Sequence, residues 1–234
     1  MYKDVIGILG GMGSFATLHF FAALLKRFPA EKEWERPRVL IDNRCTMPSR
    51  VLAVLEGVKR DQLVDEMCSS VQWLLNAGAT KIVLACNTSH CFLPDIYHRV
   101  PGARNAIVNI IEKCCKTVAE SGIKHVGLIA SEGTIQSKVF ECELDKYGIT
   151  MTYPHNEQFA LQRKLIEAVK QDSISDTTIK EFVSLLHSGN NEAIILGCTE
   201  FPVLFSRCNK DDLGGIRVFD PLLSALDYLK ENCI

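Results

Sequence analysis

Apolar positions along the chain fall into short β-branched runs separated by longer stretches with helical spacing. The runs 5–9, 38–42, 81–85, 126–130, 150–153, 193–196 and 218–219 predict strands, and 107–110 predicts one more short strand. Helical patterns cover 15–27, 48–58, 61–77, 111–120, 134–147, 157–170 and 175–188. In the third of these, Leu63, Val64, Met67, Val71, Leu74 and Leu75 recur at the 3.6-residue period. Pro221 opens a last helix that runs through Leu229, since proline suits the first helical turn. Strands alternating with helices predict an α/β fold with mainly parallel sheets.

The pattern also repeats. VIGILGGMGS (5–14) resembles HVGLIASEGT (125–134), which aligns Gly7 with Gly127, Gly13 with Gly133 and Ser14 with Thr134. KIVLACNT (81–88) resembles EAIILGCT (192–199), which aligns Cys86 with Cys198. Each half thus holds an opening strand with a small-residue turn, and a later strand ending in cysteine. Ligands of open parallel sheets bind at the carboxyl ends of strands, where both turns and both cysteines fall. The expectation is two pseudo-symmetric α/β domains facing a shared cleft, with Cys86 opposite Cys198. Residues 1–112 with 213–234 would form the domain of Cys86, and 113–212 the domain of Cys198.

Composition narrows the function classes. The formal net charge is −2 and Lys and Arg are dispersed, so no basic field draws nucleic acid. No apolar run approaches the roughly 20 residues that span a bilayer. Met1-Tyr2-Lys3-Asp4 leads straight into a strand-like run, so a cytoplasmic address without a secretory signal is expected. Ten cysteines in such a chain read as free thiols, and no C-x-x-C pair occurs. Cys86, His90 and Cys91 lack a second ligand cluster, so no metal is expected; His90 and Cys91 read as core or helix residues.

Gly11-x-Gly13-x-x-Ala16 fits the dinucleotide fingerprint, with Asp42 closing the second strand. That reading leaves both cysteine motifs and the repeat unexplained, and the second copy, Ser131-x-Gly133-Thr134, lacks the glycine pattern. A small anion held at a helix N-terminus accounts for both copies. Two opposed thiols can invert a stereocentre: a thiolate removes a proton from carbon while a thiol delivers one to the other face. Hydroxyl and amide residues follow each cysteine (Asn87-Thr88-Ser89, and Thr199), suited to capping a helix and to aiming N–H groups at an anion.

Over essentially its whole length the chain resembles the cofactor-independent aspartate/glutamate racemases. The likeness is carried by GILGGMGSFAT (7–17), TMPSR (46–50), ACNTSH (85–90), SEGT (131–134), EAVK (167–170), LGCTE (196–200) and DP (220–221). The resemblance implies a two-base reaction on aspartate or glutamate, with Cys86 and Cys198 as acid and base. It implies Arg50 and Lys170 as cations beside the substrate's side-chain carboxylate. Asn87, Thr88, Ser89, Thr134 and Thr199 would hold or orient the α-carboxylate, and Met12, Gly13 and Ser14 would line the cleft. Thr46 and Ser131 belong to the same substrate-binding set. Glu200 would tune Cys198, bind the substrate ammonium or serve as a helix first-turn acid. No cofactor, no pyridoxal phosphate and a homodimer are implied, with no nucleic-acid or membrane partner. TMPSR resembles the aspartate side of the family. Departures are Ser49 where many relatives have an acid, Ser131 where relatives often have Thr, and Glu132. Alternatives on the same scaffold are a maleate-type isomerase, a hydantoin racemase, a decarboxylase or a non-catalytic acidic-ligand binder.

Overall fold

A computed structural model describes residues 2–154, 156–189 and 191–233. In chain order its elements are β1 (Val5–Gly10), α1 (Ser14–Arg27), β2 (Arg38–Asn43), α2 (Arg50–Leu55), α3 (Arg60–Asn76), β3 (Lys81–Leu84), α4 (Leu93–Arg99), α5 (Ala103–Ala106) and α6 (Ile110–Glu120). There follow β4 (His125–Ile129), α7 (Glu132–Gln136), α8 (Val139–Leu144), β5 (Thr150–Thr152), α9 (Asn156–Lys170), α10 (Asp176–His187), β6 (Ala193–Leu196), α11 (Phe201–Phe205), β7 (Arg217–Phe219) and α12 (Pro221–Asn232).

The strands form two parallel sheets, ordered β2-β1-β3 and β5-β4-β6-β7. The opening strand of each half lies between the next two of its half, so the sequence repeat is a repeat of topology. It extends to single bonds. Just past β3 the Ala85 N–H donates to the Leu9 carbonyl at 2.9 Å, and just past β6 the Gly197 N–H donates to the Ile129 carbonyl at 2.7 Å. The aligned glycines have aligned neighbours too: a Cβ on Gly7 would stand 3.1 Å from Ala79, and one on Gly127 would stand 2.6 Å from the Asn191 amide.

β1, β3, β4 and β6 are buried along nearly their whole length, which is why they read as continuous apolar runs. In β6, Ala193 and Ile195 join one core and Ile194 and Leu196 another, as the two-residue period of a strand requires. The first core is shared between the sheets. It joins Ile6 and Ile8 of β1 to Val126 and Leu128 of β4 through Phe20 and Leu24 of α1, Cys114 and Val118 of α6, and Leu226 of α12. The outer face of the first sheet packs on Leu63, Met67, Val71 and Leu74 of α3, and that of the second on Phe182 and Leu186 of α10.

Several expectations shift. The strand expected at 107–110 is a single parallel bridge, Ile107 with Ile82, because Asn109 caps α6 directly after it. The helix expected over 134–147 is broken into α7 and α8 at Lys138, whose φ of 54° is left-handed. The helix expected over 48–58 is only α2, capped by Ser49. Helices α4, α5 and α11 were not anticipated. β7 pairs with β6, and α12 packs into the core shared by the two sheets. Among the described residues, no helix is long and apolar enough to cross a membrane.

Candidate active site

The carboxyl ends of four strands meet at one cavity of about 460 Å³. Met12 follows β1, Cys86-Asn87-Thr88 follow β3, Ser131 follows β4, and Cys198-Thr199-Glu200 follow β6; all line it. The start of α2 brings Arg50, and the end of α9 brings Lys170. Ten of the fifteen residues expected at the site therefore share one wall. The other five stand off it for definite reasons. Ser14 is exposed, its hydroxyl accepting from Asn43 Nδ2 at 3.0 Å, and Thr46 is exposed in the loop after β2. Ser89 is buried against the Met12 sulfur at 2.8 Å. Thr134 lies behind Thr88, the two hydroxyls 2.7 Å apart. Gly13 lies behind Glu200.

Gly13 answers the dinucleotide question. A Cβ there would stand 2.1 Å from Glu200 Oε1, so the space above the glycine is filled by the chain's own carboxylate. That carboxylate sits where α1 begins, the place expected for an external anion. Gly13 has an extended φ of 176°, so close approach selects glycine here. Gly11 is glycine for its φ of 78° and for the Arg44 backbone beside it.

The repeat governs these contacts as well. Glu200 meets Gly13, and Thr88 meets Gly133, whose Cβ would stand 3.1 Å from Thr88 Cγ2. Each cysteine turn thus touches the opening turn of the other half. Two further bonds tie the halves: Thr88 Oγ1 lies 3.1 Å from Ser131 Oγ, and Thr199 Oγ1 donates to the Ala85 carbonyl at 3.4 Å. The repeat is broken chemically at these positions, with threonine at 88 and a carboxylate at 200.

The Cys198 thiol donates to Glu200 Oε2 at 3.0 Å. Burial, the Glu200 charge and the facing Cys86 push that thiol well above its ordinary range. Burial raises the Glu200 carboxyl also, against the pull of Lys170 and Arg50. Lys170 is held charged: burial works against it, but a 2.9 Å pair with Glu167 and the Glu200 and Cys198 charges prevail. Arg50 is anchored through Nη1 to the Pro48 carbonyl at 2.9 Å and through Nη2 to the Met12 carbonyl at 3.0 Å. Its Nε, both amide atoms of Asn87 and Glu200 Oε1 are buried with no hydrogen-bond partner among the described residues. Buried polar atoms of this kind on a cavity wall mark where a polar ligand is received.

Sequence reasoning missed Arg163, Ile166 and Glu167, which line the cavity with Lys170. Their spacing is one helical face, so placing Lys170 at the site was the signal for the other three. Arg163 pairs with Glu132 at 3.6 Å. Leu52 and Leu55 of α2 form an apolar rim. Among the described residues, no group of three His, Cys, Asp or Glu could hold a metal.

Two parallel sheets with a cysteine at the end of each third strand define the class, and comparison with known proteins agrees. The model of the Asp/Glu/hydantoin racemase family matches residues 9–229, and the chain belongs to that family of isomerases. It is similar to the broad specificity amino-acid racemase RacX of Bacillus subtilis (strain 168), 25% identical over 202 residues, covering 84% of this chain and 85% of that one. It is also similar to the glutamate racemase of Roseobacter denitrificans, 26% identical over 196 residues, covering 74% and 70%. In fold it matches the aspartate racemase of Picrophilus torridus, with a TM-score of 0.83 over 98% of this chain and 94% of that one at 24% identity.

Proposed function

We propose that the protein interconverts the L and D enantiomers of an acidic amino acid, aspartate first, using Cys86 and Cys198 as a two-base pair. The observation that carries this reading is the pairing itself: two cysteines at repeat-equivalent positions line one cavity, one from each sheet. One sulfur, as thiolate, takes the α-proton and leaves the electron pair on the α-carbon. The other, as thiol, gives its proton to the opposite face. The product is the mirror image, and the two sulfurs have exchanged protonation states. Either enantiomer is thus a substrate for the sulfur that faces its α-hydrogen.

The remaining groups lower the cost of the carbanion. The buried Asn87 amide and the Thr88 and Thr199 hydroxyls line the same cavity as the two cysteines and suit an α-carboxylate. Arg50 and Lys170 suit the side-chain carboxylate. Glu200 accepts the Cys198 proton before that sulfur serves as base, and after turnover loses it to solvent while Cys86, left as a thiolate, regains one. The chemistry uses the chain's own residues and no cofactor. A homodimer in the cytoplasm, with residues 1–112 plus 213–234 and 113–212 as its two domains, completes the proposal.

The test is α-proton exchange in D2O, followed by NMR and chiral chromatography on reduced protein without added cofactor. L-aspartate, L-glutamate, L-alanine and L-serine are run in parallel. Exchange with growth of D-aspartate, lost in Cys86→Ser and in Cys198→Ser, is expected. No exchange with any acidic amino acid from folded, reduced protein overturns the reading in favour of another isomerase or a binding protein.

A further inference from the structure

His90 is buried four residues beyond Cys86 and does not itself line the cavity. Its two ring nitrogens are both engaged. Nδ1 lies 2.9 Å from the Cys86 carbonyl oxygen, and Nε2 lies 3.4 Å from the backbone nitrogen of Ile110, the first residue of α6. The second contact fixes the tautomer. A backbone N–H only donates, so Nε2 is bare and accepts. The neutral ring then carries its proton on Nδ1 and donates to the Cys86 carbonyl. Burial pushes the ring's pKa down to about 4, which keeps it in this neutral form through the physiological range.

We infer that His90 is a positioning residue for Cys86, bracing the backbone from which that thiol projects against the N-terminus of α6. The inference rests on the reading of Cys86 as one of the two bases. Three features support it beyond the bonds themselves. Helix α6 belongs to the core shared by both sheets, so the brace runs to a rigid body rather than a surface loop. The rest of that turn is tied through side chains and not through the Cys86 backbone: Thr88 bonds to Ser131 and Thr134, Ser89 is spent on Met12, and the Asn87 amide is buried without a partner among the described residues. The second half has no such device. The position equivalent to His90 is Pro202, and among the described residues the Cys198 carbonyl accepts an ordinary turn bond from the Phe201 N–H at 3.1 Å. The two thiols are thus placed by different means, Cys198 by its side-chain bond to Glu200 and Cys86 through its own backbone.

The brace is separable by substitution, because an asparagine amide nitrogen falls near the place of Nδ1 and a glutamine amide near that of Nε2. His90→Asn keeps the donor to Cys86, and His90→Gln keeps only the partner of Ile110. We expect His90→Asn to retain exchange within about threefold. His90→Gln should lose about tenfold or more in kcat with KM unchanged, the scale of a misplaced reacting group. Because the equilibrium constant of a racemisation is one, that loss must be equal in the two directions, whereas wash-in of deuterium without inversion should be lost from the enantiomer whose proton Cys86 removes. Equal losses in the two variants, or wash-in lost equally from both enantiomers, would overturn the inference. Two readouts do not depend on racemase activity. Alkylation by iodoacetamide should change at Cys86 and not at Cys198 in His90→Gln. In the unsubstituted protein the 15N ring spectrum at neutral pH should show a protonated Nδ1 and a bare Nε2. The opposite tautomer overturns the brace even where every variant fails to fold. If the unsubstituted protein exchanges no substrate, the functional reading fails while these two measurements still decide the role of His90.

Discussion

Cys198 and Glu200 are joined thiol to carboxylate at 3.0 Å, whereas Thr88 stands where the repeat would put the corresponding acid beside Cys86. A carboxylate two residues from a thiol disfavours the thiolate by charge and offers its proton a destination. Glu200→Gln removes both effects. The pH dependence of Cys198 alkylation should move to lower pH, by about one pH unit, since a neighbouring like charge has been deleted. Exchange should nevertheless fall by about tenfold or more, the lower range for loss of a general acid–base group. Mass-spectrometric alkylation profiles and D2O exchange on the same sample separate the two. A profile that stays in place would show that the Glu200 charge does not act on Cys198.

Gly13→Ala tests the same carboxylate from the other side. The new methyl meets Glu200 Oε1 rather than a backbone barrier, because an extended φ suits alanine. The carboxyl must swing away from Cys198. Stability should fall by about 1–3 kcal/mol, as for overpacking. Exchange should fall further than that loss accounts for, when compared at a temperature where the variant is fully folded. Gly57→Ala is the control, since its φ of 71° is strained but no atom lies within 4 Å. It should cost stability alone.

Much of this arrangement was legible in the sequence, and what was not has a physical reason. Strands β1, β3, β4 and β6 stand out because they are buried on both faces, which makes their apolar runs continuous. The two cysteines stood out because each ends the equivalent strand of a repeat. Helices α5 and α11 are too short, at four and five residues, to show a period. The break at Lys138 depends on a left-handed residue that no glycine announced. Gly13 read as a ligand-facing glycine because its true neighbour, Glu200, is remote in the chain. Arg163 and Glu167 carry no signal of their own in the sequence; only the packing of α9 against the cavity brings them to its wall.

Stability should depend on pH through two buried groups with opposite slopes. Asp220 caps α12, its Oδ1 accepting from the Leu222 N–H at 2.8 Å, and burial raises its pKa to about 6 against the pull of those backbone donors. A carboxyl raised on folding binds more protons in the native state, so its contribution falls as pH rises from about 4 to about 6. His90 is lowered to about 4 by burial, so the unfolded state binds more protons and its contribution is lost as pH falls toward that value. Glu200, raised by burial, slopes with Asp220. Asp220→Asn keeps a good cap and removes one slope. At pH 7 the variant should be more stable by about 1–3 kcal/mol, and its decline into acid should be steeper. Urea unfolding between pH 4 and 8 reads both; an acid limb no steeper than before would show that Asp220 does not carry the opposing slope.

Lys170 and Glu167 supply the last test, which concerns the substrate's side chain. Their 2.9 Å pair is partly exposed, with side-chain accessibilities of 36% and 53%, so it is worth at most about 1 kcal/mol. A substrate carboxylate that engages Lys170 must compete with Glu167 for it. Glu167→Gln removes the competitor, and KM for aspartate should fall by up to about fivefold, the equivalent of that energy. Lys170→Gln removes the cation, and KM should rise by about tenfold or more, as for loss of a charged hydrogen bond. For alanine, which has no side-chain carboxylate, neither change should matter. Parallel shifts for aspartate and alanine would instead assign Lys170 to the α-carboxylate common to both, leaving Arg50 as the cation that reads the acidic side chain.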